Sequence, residues 1–286
     1  MFDHNETLDE ARARNIREAL FEDIGRCDWT AQLVPAGRSV QARVVVKEDA
    51  VLCGCAWFDG CLHALDPQAR VDWQHEEGAQ MPSGSVVCRI ASDARALLSA
   101  ERPALNFLQL LSATATLTRS YVQAIAGASP NPKGCAVLDT RKTLPGLRQA
   151  QKYAVRVGGG SNHRMALWDG ILIKENHIAA AGGIANALAA AQALHAGVSV
   201  QIEVESLDEL QQALQAGALS VLLDDFSRSD LQRAIQINQG RALLEVSGGV
   251  DLGSVRELAA TGVDRISCGK LTKDVRAVDL SMRIAT

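Results

Sequence analysis

Six short apolar runs in the second half of the chain each end in a small polar cluster, and helix-like stretches separate most of them. They are Cys135–Leu138 before Asp139-Thr140-Arg141-Lys142, and Ile171–Ile173 before Lys174-Glu175-Asn176-His177. Val200–Val204 follows, interleaved with Glu203 and Glu205, then Ser220–Leu223 before Asp224-Asp225. Leu243–Val246 leads into Ser247-Gly248-Gly249, and Arg265–Ser267 into Cys268-Gly269-Lys270. Apolar strand, polar tip and helix in repetition specify a parallel (β/α) barrel, whose chemistry gathers at the carboxyl ends of its strands. The tips therefore share one mouth. Its several Lys and Arg beside a few acids suit an anion and a metal.

The 286 residues allow one large domain or two moderate ones, and 47% hydrophobic content supports a sizeable core. A net charge of −4 argues against a nucleic-acid surface, so the basic residues matter locally. No apolar run approaches the ~20 residues of a membrane span. The acidic, polar start Met1-Phe2-Asp3-His4-Asn5-Glu6 does not read as a secretory leader, and a cytoplasmic location is expected. Seven cysteines, an odd number, read as reduced thiols. Cys53-Gly54-Cys55, with Cys61 and His63 nearby, lacks the second pair that a structural zinc site needs.

Ahead of the barrel pattern, Leu8–Phe21 has the spacing of an amphipathic helix that breaks at Gly25. Val40–Val46, Ala50–Cys55, Arg70–Trp73 and Ser85–Ile90 read as strands without intervening helices, hence an antiparallel sheet in an α+β domain. A helical stretch from Asp93 to Ala126 is expected to break near Pro103, and Ser129–Gly134 is a turn-rich linker. These signals predict an N-terminal α/β domain over 1–115, rejoined by the tail 276–286, and a (β/α) barrel domain over 116–275. Six tips are two short of an eightfold barrel, so the ring is expected to be incomplete, or filled by the helix around Ala113–Ala126 and one weak strand.

Arg141 and Lys142 are adjacent at a strand end, where alternation turns them apart, so each can serve a different anionic ligand. Arg suits planar carboxylates through paired hydrogen bonds, and Lys suits phosphate as a point charge. Gly158-Gly159-Gly160 reads as a mobile run delivering His163 and Arg164; its spacing is not that of a dinucleotide fingerprint. Lys174 adds a cation at the next tip, where it can also pair with Glu203 or Asp224. Glu203 and Glu205, two apart, should share a face. With Asp224, Glu203 has the hard oxygen donors that Mg²⁺ accepts alongside substrate phosphate, although pairing with barrel cations explains the spacing equally well. The glycines of Ser247-Gly248-Gly249 and Cys268-Gly269-Lys270 let backbone N–H groups approach a phosphate at the last two loops.

Read together, these stretches resemble the quinolinate phosphoribosyltransferase family, the carboxylating nicotinate-nucleotide diphosphorylases of NAD biosynthesis. The likeness runs from Glu22-Asp23-Ile24-Gly25 to Ala277–Met282. Its most specific parts are Glu101–Phe107, Asp139–Arg148, Lys152–Val155, Asn162-His163-Arg164, Lys174–His177, Val204-Glu205, Leu223-Asp224 and Glu245–Gly248. The resemblance implies an N-terminal α/β sandwich, a C-terminal barrel of six to seven parallel strands, and a homodimer in which Arg102 reaches the neighbouring site. It further implies that Arg141, His163, Arg164 and Lys174 hold the quinolinate dicarboxylate. Lys142, Glu203, Asp224 and Mg²⁺ would manage the ribose and pyrophosphate, while Ser247, Gly248, Gly249 and Gly269 would take the 5-phosphate; the adjoining Lys270, outside that pattern, adds a cation expected to meet the same phosphate. Two positions depart from the family pattern: Asp225 where Asn is usual, and Lys270 where a small residue is usual.

The implied reaction joins the quinolinate nitrogen to C1 of phosphoribosyl pyrophosphate, expels pyrophosphate and releases CO₂. Lys142, Lys174, Glu203 and Asp224 would carry the catalysis, none as a covalent nucleophile. Three alternatives are distinguishable: a paralogue associated with molybdenum transport, a Schiff-base aldolase using Lys142 or Lys174, and an anion-binding barrel without turnover. The whole cluster Arg141, His163, Arg164 and Lys174 argues against the first.

Overall fold

A computed structural model describes residues 3–285. In chain order its elements are α1 (Leu8–Ile24), β1 (Ser39–Val46), β2 (Ala50–Val51), α2 (Cys55–Leu65), β3 (Arg70–Trp73), β4 (Gln80–Met81), β5 (Val86–Asp93) and α3 (Ala94–Ile125). Then follow β6 (Ala136–Leu138), α4 (Arg148–Val157), β7 (Gly170–Ile173), α5 (Glu175–Ala181), α6 (Ile184–Ala193), β8 (Ser199–Val204), α7 (Leu207–Gln215) and β9 (Ser220–Asp224). The chain closes with α8 (Arg228–Asn238), β10 (Leu243–Ser247), α9 (Val255–Ala260), β11 (Arg265–Ser267), α10 (Lys270–Lys273) and β12 (Leu280–Ile284).

Two compact units emerge. One runs to Arg119 and takes in Thr143–Gly159 and the tail from Asp274; the other comprises Ser120–Lys142 and Gly160–Lys273. Thr143–Gly159 thus lies outside the barrel unit, although a single cut near residue 115 assigned it there. The reason is packing: Ala150, Ala154 and the aromatic ring of Tyr153 join the hydrophobic core that Trp57, Phe58 and Leu111 build in the first unit.

In that first unit a four-stranded sheet has the order β12-β1-β5-β3, all neighbours antiparallel. Two features differ from the sequence reading. Helix α2 intervenes between β2 and β3, because Gly54 at φ +108 ends the extended run and Trp57, Phe58, Cys61 and Leu62 then fall on one buried helical face. Glu77 holds its first turn, accepting the N–H groups of Gly54 and Cys55 at 2.8 and 3.1 Å, where a carboxylate also complements the helix dipole. Helix α3, moreover, continues through Pro103. A proline inside a helix costs ~3 kcal/mol, which the burial of Ala104, Leu105, Leu108 and Leu111 along the same helix offsets. The glycine run is not loose either. A Cβ on Gly158 would lie 2.5 Å from the Ala115 carbonyl and 2.6 Å from Thr118, so glycine is what lets α4 end against α3.

The open face of this sheet is cationic. Arg283, Arg43 and Arg89 stand directly opposite one another on three adjacent strands, with Asp72 facing Arg89 at the end of the row. Like charges in register destabilise a sheet. Arg43→Thr is therefore expected to raise stability by about 0.5 kcal/mol in low salt, the gain fading as salt screens the row. Urea titrations at two ionic strengths check this; a loss of stability in low salt refutes it.

The second unit is a six-stranded parallel sheet of order β6-β11-β10-β9-β8-β7. Read as a ring, the strands follow chain order and leave one gap, between β6 and β7. Only a single bridge, Leu138 to Ser161, enters that gap among the described residues. This is a mixed α/β fold whose second unit is a barrel of fewer than eight strands. Helices α6 and α7 pack on β7 and β8, and α8 packs on α7; Leu188, Leu210, Leu214 and Leu231 of these helices are buried, as are Val204, Val221 and Leu223 of the strands. In-register neighbours of a parallel sheet point the same way, so Glu203, Leu222 and Glu245 share one inward-facing layer.

Candidate active site

Every polar tip of the second unit lies at a strand carboxyl end, and the inner layer beneath them is itself polar. Lys174 directly follows β7, its backbone N–H bonded to His177 Nδ1 at 3.1 Å. Its ammonium donates to both Glu203 oxygens at 2.8 and 2.7 Å. Glu203, only 8% exposed near the end of β8, has its charge balanced by that pair. Glu205 does not share its face. Strand β8 stops at Val204, so alternation ends there and Glu205 is exposed, its N–H donating to Glu209.

Arg141 and Arg164 are neighbours. Burial first, then the charge of Arg141, push the Arg164 pKa below its ordinary value, and only Glu203 opposes them. Arg164 is steadied by a hydrogen bond from Nη1 to the Gly170 carbonyl at 3.0 Å. The Arg141 Nε–H is buried with no hydrogen-bond partner. Two guanidiniums that repel each other, one with an unsatisfied donor, form a place for an anion carrying more than one charge. His163 is held by the chain itself. Its Nδ1 accepts the Arg164 backbone N–H at 2.7 Å, and its Nε2 lies 3.0 Å from Gln201 Oε1, so both ring nitrogens are engaged within the chain.

The phosphate-type loops sit on the next strands. Asp224 and Ser247 are in register at the ends of β9 and β10. Gly248 and Gly249 have φ of +99° and +55°, and a Cβ on Gly248 would collide with the Asp225 carboxylate. Asp225 itself is left-handed at φ +51°, a conformation Asn and Asp adopt more readily than other side-chain-bearing residues, which accounts for its presence where Asn is usual. Its carboxylate packs beneath the glycine loop. Gly269 follows β11, and a Cβ there would press on Lys142 Cδ at 3.2 Å. Lys142 is pinned through its backbone, its N–H donating to Thr140 Oγ1 at 3.1 Å and its carbonyl accepting from Thr272 Oγ1 at 2.7 Å, while the side chain stays exposed. Lys270 reaches Asp251 at 3.8 Å, which partly neutralises the extra cation. Arg102 is exposed on α3 in the first unit.

Three inner residues escaped the sequence reading of individual roles: Asp139, Gln201 and Glu245. Asp139 is fully buried and accepts from Asn162 Nδ2 at 2.5 Å and from the His163 N–H at 2.9 Å. Their signal was available, since each is a polar residue inside or capping an otherwise apolar strand, which burial penalises unless it is used.

Family models match almost the whole chain: "Quinolinate phosphoribosyl transferase, N-terminal domain" over residues 28–112, and the corresponding C-terminal domain over 114–283. The chain belongs to the quinolinate phosphoribosyltransferase family. It is 41% identical to the nicotinate-nucleotide pyrophosphorylase [carboxylating] of Mycobacterium leprae, over 96% of this chain and 97% of that one. It is 38% identical to the probable enzyme of the same name from Bacillus subtilis, over 92% and 90% respectively. The solved nicotinate-nucleotide pyrophosphorylase of Francisella tularensis superposes with a TM-score of 0.92 at 43% identity, each chain covered to 98%. Both family domains are thus present, and the family's fold is the one described above. Among the described residues no helix is long and apolar enough to cross a membrane.

As to a metal, no cluster of three or more His, Cys, Asp or Glu side chains suited to a cation occurs among the described residues. The donor set nevertheless fits Mg²⁺, which takes one or two protein carboxylates and completes its shell with water and phosphate oxygens. Asp224 is half-exposed at the mouth; Glu203 is committed to Lys174 until that lysine finds another partner.

Proposed function

We propose that this chain is a decarboxylating phosphoribosyltransferase that converts quinolinate and 5-phosphoribosyl 1-pyrophosphate into nicotinate mononucleotide, pyrophosphate and CO₂, a transferase step of pyridine nucleotide biosynthesis. The observation that carries the reading is the buried Arg141 Nε–H left without a hydrogen-bond partner, next to Arg164 and the Lys174–Glu203 pair. A dicarboxylate entering there satisfies the orphan Arg141 donor, restores Arg164 and draws Lys174 away from Glu203. Glu203 is then free to stabilise positive charge on the ribose. In this reading substrate binding itself uncovers the catalytic carboxylate.

The ring nitrogen attacks C1 as the pyrophosphate departs, so C1 passes through an oxocarbenium-like state facing Glu203 and Asp224. Lys142 balances charge on the leaving group, and Ser247, Gly248, Gly249 and Gly269 hold the 5-phosphate through backbone N–H groups, with Lys270 at the rim. Asp224 and the released Glu203 would hold Mg²⁺, a group that neutralises charge on a leaving pyrophosphate when bound. The new pyridinium nitrogen draws electrons from the adjacent carbon, so the C–C bond pair stays on that ring carbon, stabilised by the positive nitrogen, as CO₂ leaves. A proton from solvent replaces it. His163 orients Arg164 instead of contacting the substrate through a ring nitrogen. The remaining elements of the proposal are a cytoplasmic location and a homodimer in which Arg102 of a second copy completes the site.

A Schiff-base aldolase is a poorer fit, because Lys174 is held in a two-oxygen ion pair and Lys142 is exposed. The deciding assay supplies quinolinate, phosphoribosyl pyrophosphate and magnesium. Nicotinate mononucleotide, pyrophosphate and CO₂ should form in equal amounts; binding of both substrates without CO₂ release would leave only a non-catalytic anion receptor.

A further inference from the structure

Glu245 has no part in the reaction as derived, yet it is among the most buried ionisable groups of the barrel unit, at 1% exposure. It lies mid-strand in β10, facing inward. Its Oε2 accepts from Gln201 Nε2 at 3.0 Å. Its Oε1 has no hydrogen-bond partner, and His163 Nε2 stands 3.5 Å away. A carboxylate this deep is costly unless its charge is used. The same Nε2 is 3.0 Å from Gln201 Oε1, so the amide bridges imidazole and carboxylate, offering its oxygen to one and its N–H to the other. On the far side of the ring, Nδ1 accepts the Arg164 N–H. That bond leaves Nδ1 without a proton, and the acceptors Gln201 Oε1 and Glu245 on the other side hold the ring proton on Nε2.

We infer that Glu245 is a positioning residue for Arg164: through Gln201 it fixes the tautomer and plane of His163, and His163 Nδ1 then fixes the backbone from which Arg164 reaches the mouth. The Gln201 amide orientation follows from the same chain of bonds. Glu245 presents one acceptor to its N–H side, leaving the Gln201 oxygen for the imidazole N–H. Remove the charge and the amide can turn, the tautomer preference goes with it, and Arg164 loses its reference point. This role rests on the reading of Arg164 as a quinolinate ligand.

Three variants test it: Glu245→Gln, Gln201→Glu with Glu245→Gln, and Gln201→Met. Steady-state rates with each substrate varied in turn are combined with ¹⁵N NMR of histidine-labelled protein. In E245Q the quinolinate KM should rise about tenfold, with kcat at saturation and the phosphoribosyl pyrophosphate KM changed less than about twofold. The exchanged pair should recover most of the loss, because a carboxylate at 201 still accepts from His163 while the amide at 245 donates to it. The Nε2-protonated signature of His163 should dominate in the parent and the exchanged pair, and give way to a tautomer mixture in E245Q. Equal rises in both KM values, or an unchanged quinolinate KM with only a lower melting temperature, would overturn the assignment. Should E245Q not fold, Gln201→Met probes the same link from the amide. If the parent makes no nicotinate mononucleotide, the functional reading fails, while the NMR arm still decides whether Glu245 orients His163.

Discussion

Arg141→Ala is expected to raise the quinolinate KM roughly a hundredfold while the KM for phosphoribosyl pyrophosphate moves by less than about threefold. A charge-assisted hydrogen bond contributes about 1.5–3 kcal/mol, and loss of a paired set corresponds to roughly two orders of magnitude in affinity. The asymmetry follows from the place of Arg141 beside Arg164, where its charge already depresses the Arg164 pKa. Removing one guanidinium relieves the other, so Arg141→Ala with Arg164→Ala should cost less than the sum of the single changes. Arg141→Lys keeps the charge but not the planar fork, and should fall between. Isothermal titration with each ligand and initial rates check the set. Equal weakening toward both ligands would end the assignment of Arg141 to the dicarboxylate.

The second large effect is Gly248→Ala. At φ +99° an alanine is outside its ordinary conformations, a cost of about 1–3 kcal/mol, and its methyl also strikes Asp225. Stability should fall by roughly 3 kcal/mol, or about 6–12 °C in melting temperature for a chain of this size. Affinity for phosphoribosyl pyrophosphate should fall more than tenfold, since the loop proposed to cradle the phosphate must move. Asp225→Gly combined with Gly248→Ala removes the collision but not the dihedral strain, so it should restore part of the stability. A calorimetric scan and the pyrophosphate-side KM suffice as readouts. An alanine accepted at 248 with neither quantity changed would show that the loop is not a phosphate cradle.

The outer tips were legible in the sequence because they carry their own contrast: Arg141, Lys174, Glu203 and Asp224 each break an apolar run at a strand end. The inner layer showed its polar residues but not their roles. Gln201 and Glu245 lie inside strands, and which partner pays back their burial depends on how strands two apart in the sheet face each other. Helix α2 was missed because Cys53-Gly54-Cys55 extends a β-like run and only the left-handed Gly54 turns it. Pro103 misled for the converse reason: its local rule was right, but the apolar face of α3 outweighs one lost hydrogen bond. Membership of Thr143–Gly159 in the first unit is likewise a matter of where Tyr153 and Ala154 find apolar neighbours, which no local pattern encodes.

Strand β12 pairs with β1 through partners such as Ala42 and Ile284, more than two hundred residues apart. On the ribosome the first sheet is therefore complete only once β12, far downstream of β1, has emerged. Until then β1 emerges with one bare edge, an open template for strand addition by other nascent chains. Loss of Leu280–Ile284 would leave that edge of β1 unpaired, so the first sheet depends on a strand far along the chain from the rest of it.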